Sequence, residues 1–259
     1  MCAFLPSPTT NWLLQLQQLQ RVPLKRLDED FDMLEMMSCE SSSGGAFIRT
    51  AWVMTWENVL APTQWMASRV GLAPTREGIE EACACCASIP TLRDSIVMME
   101  DRILELLTLT ASIGPVYILT DETVAFVEAM CQAFFPRLYT ALQTCGGRVK
   151  VIGLPDTNAS VAQKASWKVD AFQQICFEST SVDLLLRPET GGFRLITVSA
   201  EELDVLASSA VKDIAPFAIV KSVQMPVVSN GATSSLEGFK AQLQGLITAV
   251  NEELEMDKL

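Results

Sequence analysis

Chemistry in this chain has to run on carboxylates, lysine, serine, threonine or cysteine, because its 259 residues include no histidine. That absence removes the Ser-His-Asp triad, the Cys-His dyad, the imidazole general base and any His-ligated zinc, haem or facial iron site built from this chain alone. Eight cysteines remain. Cys83-Ala84-Cys85-Cys86 contains a Cys-x-x-Cys spacing, but a zinc site needs four ligands and no second pair lies nearby. The stretch is rich in Glu and Ala and reads as helix, so these cysteines are expected to be buried or half-buried small residues. Gly191-Gly192, after Pro188-Glu189-Thr190, marks a turn before a strand and lacks the spacing of a dinucleotide loop. The methionine pairs Met36-Met37 and Met98-Met99 are expected as core filler. Carboxylates are the abundant resource: 31 Asp and Glu stand against 19 Lys and Arg, a net charge of −12, with a pI near 4.5. Such a balance is a poor footprint for nucleic acid or an anionic membrane, and neither is expected as a partner.

The elements that must position these groups emerge from the apolar pattern. Ala46–Thr55 is a β-branched and aromatic strand. In the second of two subsequent helical stretches, Leu92, Ile96, Met99, Ile103, Leu106 and Thr110 recur at three- and four-residue steps. Gly114-Pro115 stops that helix, and Val116–Thr120 is a short apolar run of the kind buried on both faces of a parallel sheet. Asp121–Gln143 reads as a helix broken at Pro136, closed by Gly146-Gly147, and Val149–Gly153 is a third strand. Ser166–Ile175 predicts a helix running into a fourth strand around Ile175-Cys176-Phe177. Phe193–Val198 and Phe217–Met225 predict a fifth and a sixth, and Leu236 to Leu254 line one face of a terminal helix. Strands alternating with helices predict a doubly wound, mostly parallel sheet, whose ligands sit beyond the carboxyl ends of the strands. That rule selects Thr55–Val59, Thr120-Asp121, the Gly153 loop and Glu178–Ser181.

Residues 1–45 differ from the rest. They run from a Gln/Leu-rich stretch through an acidic one to Ser41-Ser42-Ser43-Gly44-Gly45, a flexible joint. They are expected to form a partly flexible arm, with docking of a protein partner as its sharper alternative. No apolar run reaches the roughly 18 residues of a membrane span, and the N-terminus lacks a basic region before its apolar stretch. With unpaired cysteines, the expectation is a cytoplasmic, reducing setting.

Ala51–Leu72 brings a family into view. It resembles the first motif of haloacid-dehalogenase-like (HAD) proteins, which in a branch found in microbial eukaryotes reads Asp-Trp-Asp-Asp-Thr-Leu, then Pro-Thr and a Trp. Here the same frame reads Thr55-Trp56-Glu57-Asn58-Val59-Leu60, then Pro62-Thr63 and Trp65. Val116–Thr120 resembles the second motif, Ser166-Trp167-Lys168 the third, and Ser222–Leu246 the tail of the same group, so the likeness runs from about Ala46 to Leu254. It implies a three-layer, Rossmann-like α/β domain over 46–259 with a small helical, cap-like insertion, about 73–113, after the first strand.

In active HAD proteins the first aspartate is the nucleophile, the aspartate two residues on is the general acid/base, and a fourth motif supplies a carboxylate for Mg²⁺. The resemblance places Thr55 at the nucleophile position, Glu57 at the acid position and Glu178-Ser179 at the fourth motif, with Ser179 where the metal-binding aspartate belongs. A threonine hydroxyl does not replace that carboxylate, and no histidine is present to activate it. The expected function is therefore a catalytically inactive HAD-like protein serving as a binding, regulatory or scaffold module, with phosphate held by Thr120, Asp121 and Lys168 as an added possibility. A structural salt bridge from Lys168 to Asp121 or Glu57 is the plainer expectation for that lysine. The alternative is a weak Mg²⁺-dependent phosphatase using Glu57, Asp121 and a shifted Glu178. No cofactor is expected in the first reading, and Mg²⁺ in the second.

Overall fold

The computed structural model describes residues 48–155, 158–180, 191–226 and 236–256, without the side chains of 253–256. The arm 1–45 with its partner-docking reading, Met36-Met37, Ser181 and Pro188-Glu189-Thr190 lie outside the described residues.

The chain alternates as the apolar pattern predicts. The order is β1 (Ile48–Thr55), α1 (Thr63–Val70), α2 (Arg76–Ser88), α3 (Pro90–Ile113), β2 (Val116–Thr120), α4 (Val124–Phe134), α5 (Pro136–Thr144), β3 (Val149–Gly153), α6 (Val161–Ser179), β4 (Gly192–Ser199), α7 (Glu202–Ser209), α8 (Val211–Ile214), β5 (Ile219–Gln224) and α9 (Leu236–Met256). Local chemistry sets many boundaries. Thr75, Thr123 and Ser160 accept a backbone N–H at the starts of α2, α4 and α6, the last within a capping box completed by Gln163. Pro90 and Pro136 stand at the first turns of α3 and α5, where a missing N–H costs nothing. No single described helix is long and apolar enough to cross a membrane.

All strand pairings are parallel, and the sheet order is β3-β2-β1-β4-β5. Parallel neighbours need crossovers, and the helices supply them on both faces. Alternate side chains show it. Trp52 and Met54 of β1 and Ile118 of β2 pack with Ile103 of α3, Met130 of α4 and Leu243 of α9. Val53 and Leu119 point the other way, onto Phe172 and Ile175 of α6. The result is a doubly wound, three-layer, Rossmann-like sheet, with α1 to α3 inserted between β1 and β2. The sheet closes tightly onto α3: a Cβ on Gly114 would stand 1.8 Å from the Thr50 carbonyl oxygen.

Two expectations are corrected. Ile175-Cys176-Phe177 is not a strand but the last turns of α6, with Ile175 and Cys176 fully buried in the second core. A three-residue apolar run has the same appearance in a buried helix as in a buried strand, and α6 is long enough to absorb it. The sheet therefore has five strands among the described residues. Met98 is not core filler: it is exposed, whereas Met99 is buried. The cysteines behave as expected, with Cys86 buried and Cys83 and Cys85 half-buried on α2.

Candidate functional site

Winding reverses between β1 and β4, so the topological switch point lies at their carboxyl ends. Register brings the relevant ends together: Thr55 pairs with Leu119, one residue before Thr120, and Met54 pairs with Val198, one before Ser199. Beyond Thr55 the chain turns sharply. The Trp56 N–H donates to the Leu119 carbonyl (2.7 Å), the Ala61 N–H returns to Trp56 O (2.9 Å), and Asn58 takes a left-handed φ of 59°. That loop projects Glu57 across the end of β2.

Glu57 accepts a 2.5 Å hydrogen bond from the Thr120 hydroxyl on Oε1 and a longer one, 3.4 Å, from the Asp121 N–H on Oε2. The Glu122 N–H donates in turn to Thr120 Oγ1 at 3.1 Å. Burial pushes the Glu57 carboxyl up to about 7, and the neighbouring Asp121 charge adds to the effect against the hydrogen bond from Thr120. Thr55 is buried, and its hydroxyl donates to the carbonyl of Glu57 at 3.4 Å, within its own turn.

Lys168 rises from the middle of α6 into the same cluster. Its side chain is 2 % exposed, and Nζ lies 2.7 Å from Asp204 Oδ1, 2.8 Å from Asp121 Oδ1 and 3.3 Å from Glu201 Oε2. Burial opposes the charge, but Asp204 and Asp121 outweigh it and hold the ammonium well above the usual lysine range. The plainer expectation for Lys168, an ion pair with Asp121, is what the geometry contains. Asp204 is itself buried and accepts a short hydrogen bond from the Ser199 hydroxyl. Beside the cluster opens a cavity of about 250 Å³, lined by Glu57, Glu122 and Glu201 together with Asn58, Gln64 and Phe126. Burial, more than anything else, raises Glu122 above the usual carboxylate range.

The structure thus brings together Thr55, Glu57, Thr120, Asp121 and Lys168. It does not bring Glu178 and Ser179 to them. Those two residues end α6, which runs back from the carboxyl to the amino ends of the strands. There Glu178 pairs with Lys150 at 2.8 Å, and the Ser179 hydroxyl donates to the Tyr117 hydroxyl at 3.1 Å. The residues that stand at the end of β4 are Ser199, Glu201 and Asp204, which the sequence reading does not single out. A signal for them exists: Phe193–Val198 is legible as a strand, and the strand-end rule points to the residues just beyond it.

Mg²⁺, the ion implied by the HAD resemblance, favours hard oxygen ligands in near-octahedral geometry at about 2.0–2.1 Å. The residues present fit it poorly, because Asp121, Glu201 and Asp204 converge on the Lys168 ammonium. With Lys168 seated between these carboxylates, no three His, Cys, Asp or Glu side chains among the described residues are grouped to hold a metal ion. Comparisons of the chain with protein-family models, with curated proteins and with solved structures return no match.

Proposed function

We propose that the chain is a HAD-like protein without phosphoryl-transfer chemistry, serving as a binding, regulatory or scaffold module. The observation that carries this reading is the state of Lys168, enclosed by three carboxylates and withdrawn from solvent. A lysine so committed has no capacity left for a substrate phosphate. The residue at the nucleophile position of the resemblance, Thr55, is a buried hydroxyl turned onto its own loop. The neighbouring cavity presents Glu57, Glu122 and Glu201, which repel an anion. The same geometry argues against a phosphate subsite on Thr120 and Lys168, since Thr120 donates to Glu57 and Lys168 is already paired.

A second reading, weak Mg²⁺-dependent hydrolysis, has one observation in its favour. A carboxyl held near 7 at the mouth of a cavity is suited to general acid/base work. Purified full-length chain assayed on p-nitrophenyl phosphate, with and without Mg²⁺, separates the two. The expected result is no turnover above the buffer blank. Turnover that needs Mg²⁺ and disappears in Glu57→Gln would overturn the proposal.

A further inference from the structure

Three acidic side chains from different parts of the chain converge on one point in the crevice. Asp121 lies just after β2, Glu201 just after β4, and Asp204 in the first turn of α7. Asp204 is 1 % exposed and Asp121 23 %. Like charges brought this close disfavour joint ionisation unless a cation stands among them. We propose that Lys168 is the resident cation of this crevice: it supplies from within the chain the positive charge that the three carboxylates require, and the native protein takes up no divalent ion there.

The spacing supports an ammonium as the intended occupant. The oxygens lie 2.7, 2.8 and 3.3 Å from Nζ, which are hydrogen-bonding distances. Ca²⁺ draws its oxygens to about 2.3–2.6 Å in flexible geometry, and Mg²⁺ to about 2.0–2.1 Å in a rigid octahedron. The cage is therefore too wide for either ion as it stands, and nearer to Ca²⁺. Its longest contact is to Glu201, whose side chain, 48 % exposed, is the least confined of the three. Removing the ammonium thus leaves a latent cation site that prefers Ca²⁺ to Mg²⁺. Through Asp121 and Asp204, Lys168 also ties α6 to the turn after β2 and to the first turn of α7, as a bound ion would. This inference rests on the proposed function, in which no Mg²⁺-dependent chemistry operates at the switch point.

The test is thermal unfolding of the full-length chain in EGTA, in CaCl₂ and in MgCl₂, for the native protein and for Lys168→Met, which removes the amino group and its charge while keeping most of the apolar stem. With ionic strength matched by NaCl, the native midpoint is expected to be the same in all three solutions. Lys168→Met is expected to melt roughly 10 °C lower in EGTA, to recover saturably with Ca²⁺, and to recover less with Mg²⁺. The double variant Lys168→Met/Asp204→Asn is expected not to respond. If Lys168→Met is unfolded in EGTA, return of its near-ultraviolet dichroism on adding Ca²⁺ counts as the expected recovery. Failure of Ca²⁺ to rescue Lys168→Met, folded or not, overturns the proposal. So does a saturable Ca²⁺ or Mg²⁺ shift of the native protein that Asp204→Asn removes. Phosphate-ester turnover by the native chain would overturn the functional reading by itself, while the Ca²⁺ titrations judge Lys168 independently.

Discussion

Glu57 is the residue whose charge state the fold controls most visibly. It is half-buried, and its carboxyl is held near 7 against an ordinary value of 4.5. A raised acid pKa means that the folded protein binds more protons than the unfolded chain between those two values. The stability contribution is therefore fully present below about 4.5 and is lost as pH rises through about 7. Its ceiling is roughly 3 kcal/mol, reduced by the water that reaches a half-buried group. Glu57→Gln keeps the shape and the oxygen that accepts from Thr120. Urea unfolding at pH 5, 6, 7 and 8 is expected to show native stability falling relative to the variant across this range, with the variant the more stable at pH 8. A constant difference at all four values would contradict the assignment. Neighbouring Thr55 offers a second test at this scale. Thr55→Asp buries a carboxylate beside Glu57, with Lys168 already committed, and is expected to cost roughly 3 kcal/mol. Thr55→Asp/Glu57→Asp/Ser179→Asp is expected to show no phosphatase activity, because position 179 lies at the other end of the sheet.

Among the elements, α5 is held by a side chain outside it. Glu100 of α3 is 3 % exposed; its Oε1 accepts the backbone N–H groups of Arg137 (2.7 Å) and Leu138 (3.0 Å), and its Oε2 accepts Arg137 Nε (2.8 Å). Those N–H groups belong to the first turn of α5, which has no intrahelical partner for them, and a carboxylate there also complements the helix dipole. Glu100→Ala is expected to lower stability by roughly 2–4 kcal/mol in urea unfolding, and Arg137→Ala, truncating a partner in contact with solvent, by clearly less. Gly114→Ala meets a harder obstacle, since the added Cβ falls 1.8 Å from the Thr50 carbonyl oxygen. It is expected to lose roughly 3 kcal/mol or more, or to leave no soluble protein. How far such elements are legible in the sequence depends on their patterns. Val116–Thr120 and Val149–Gly153 are bounded by turn residues, and the stripe from Leu92 to Thr110 has helical spacing, so β2, β3 and α3 are readable. Ile175-Cys176-Phe177 carries no period of its own. Reading it as a strand moves the expected site from Ser199–Asp204 back to Glu178-Ser179. The long-range partners of Glu100 and Lys168 leave no local trace, because ion pairs across 37 or 36 residues have no spacing rule.

At the scale of the whole molecule, the excess of acid and the buried lysine act through different physics, and salt tells them apart. A net charge of −12 makes the folded chain repel itself through solvent-exposed carboxylates, a long-range effect that ions screen. The Debye length contracts from about 30 Å at ~0.01 M salt to about 8 Å at ~0.15 M. The native midpoint is therefore expected to rise by a few degrees over that range of NaCl, against the direction expected of a fold held by surface ion pairs. Lys168 lies out of reach of this screening: its side chain is 2 % exposed and its partners are within 2.7–3.3 Å. The deficit of Lys168→Met relative to the native chain is accordingly expected to be the same, within about a degree, at both salt concentrations. If it shrinks at high salt, Lys168 contributes mainly by offsetting the overall negative field. If it persists, the lysine acts as a local lock on the ends of β2 and β4, and the acidity of the chain is a separate matter of its surface.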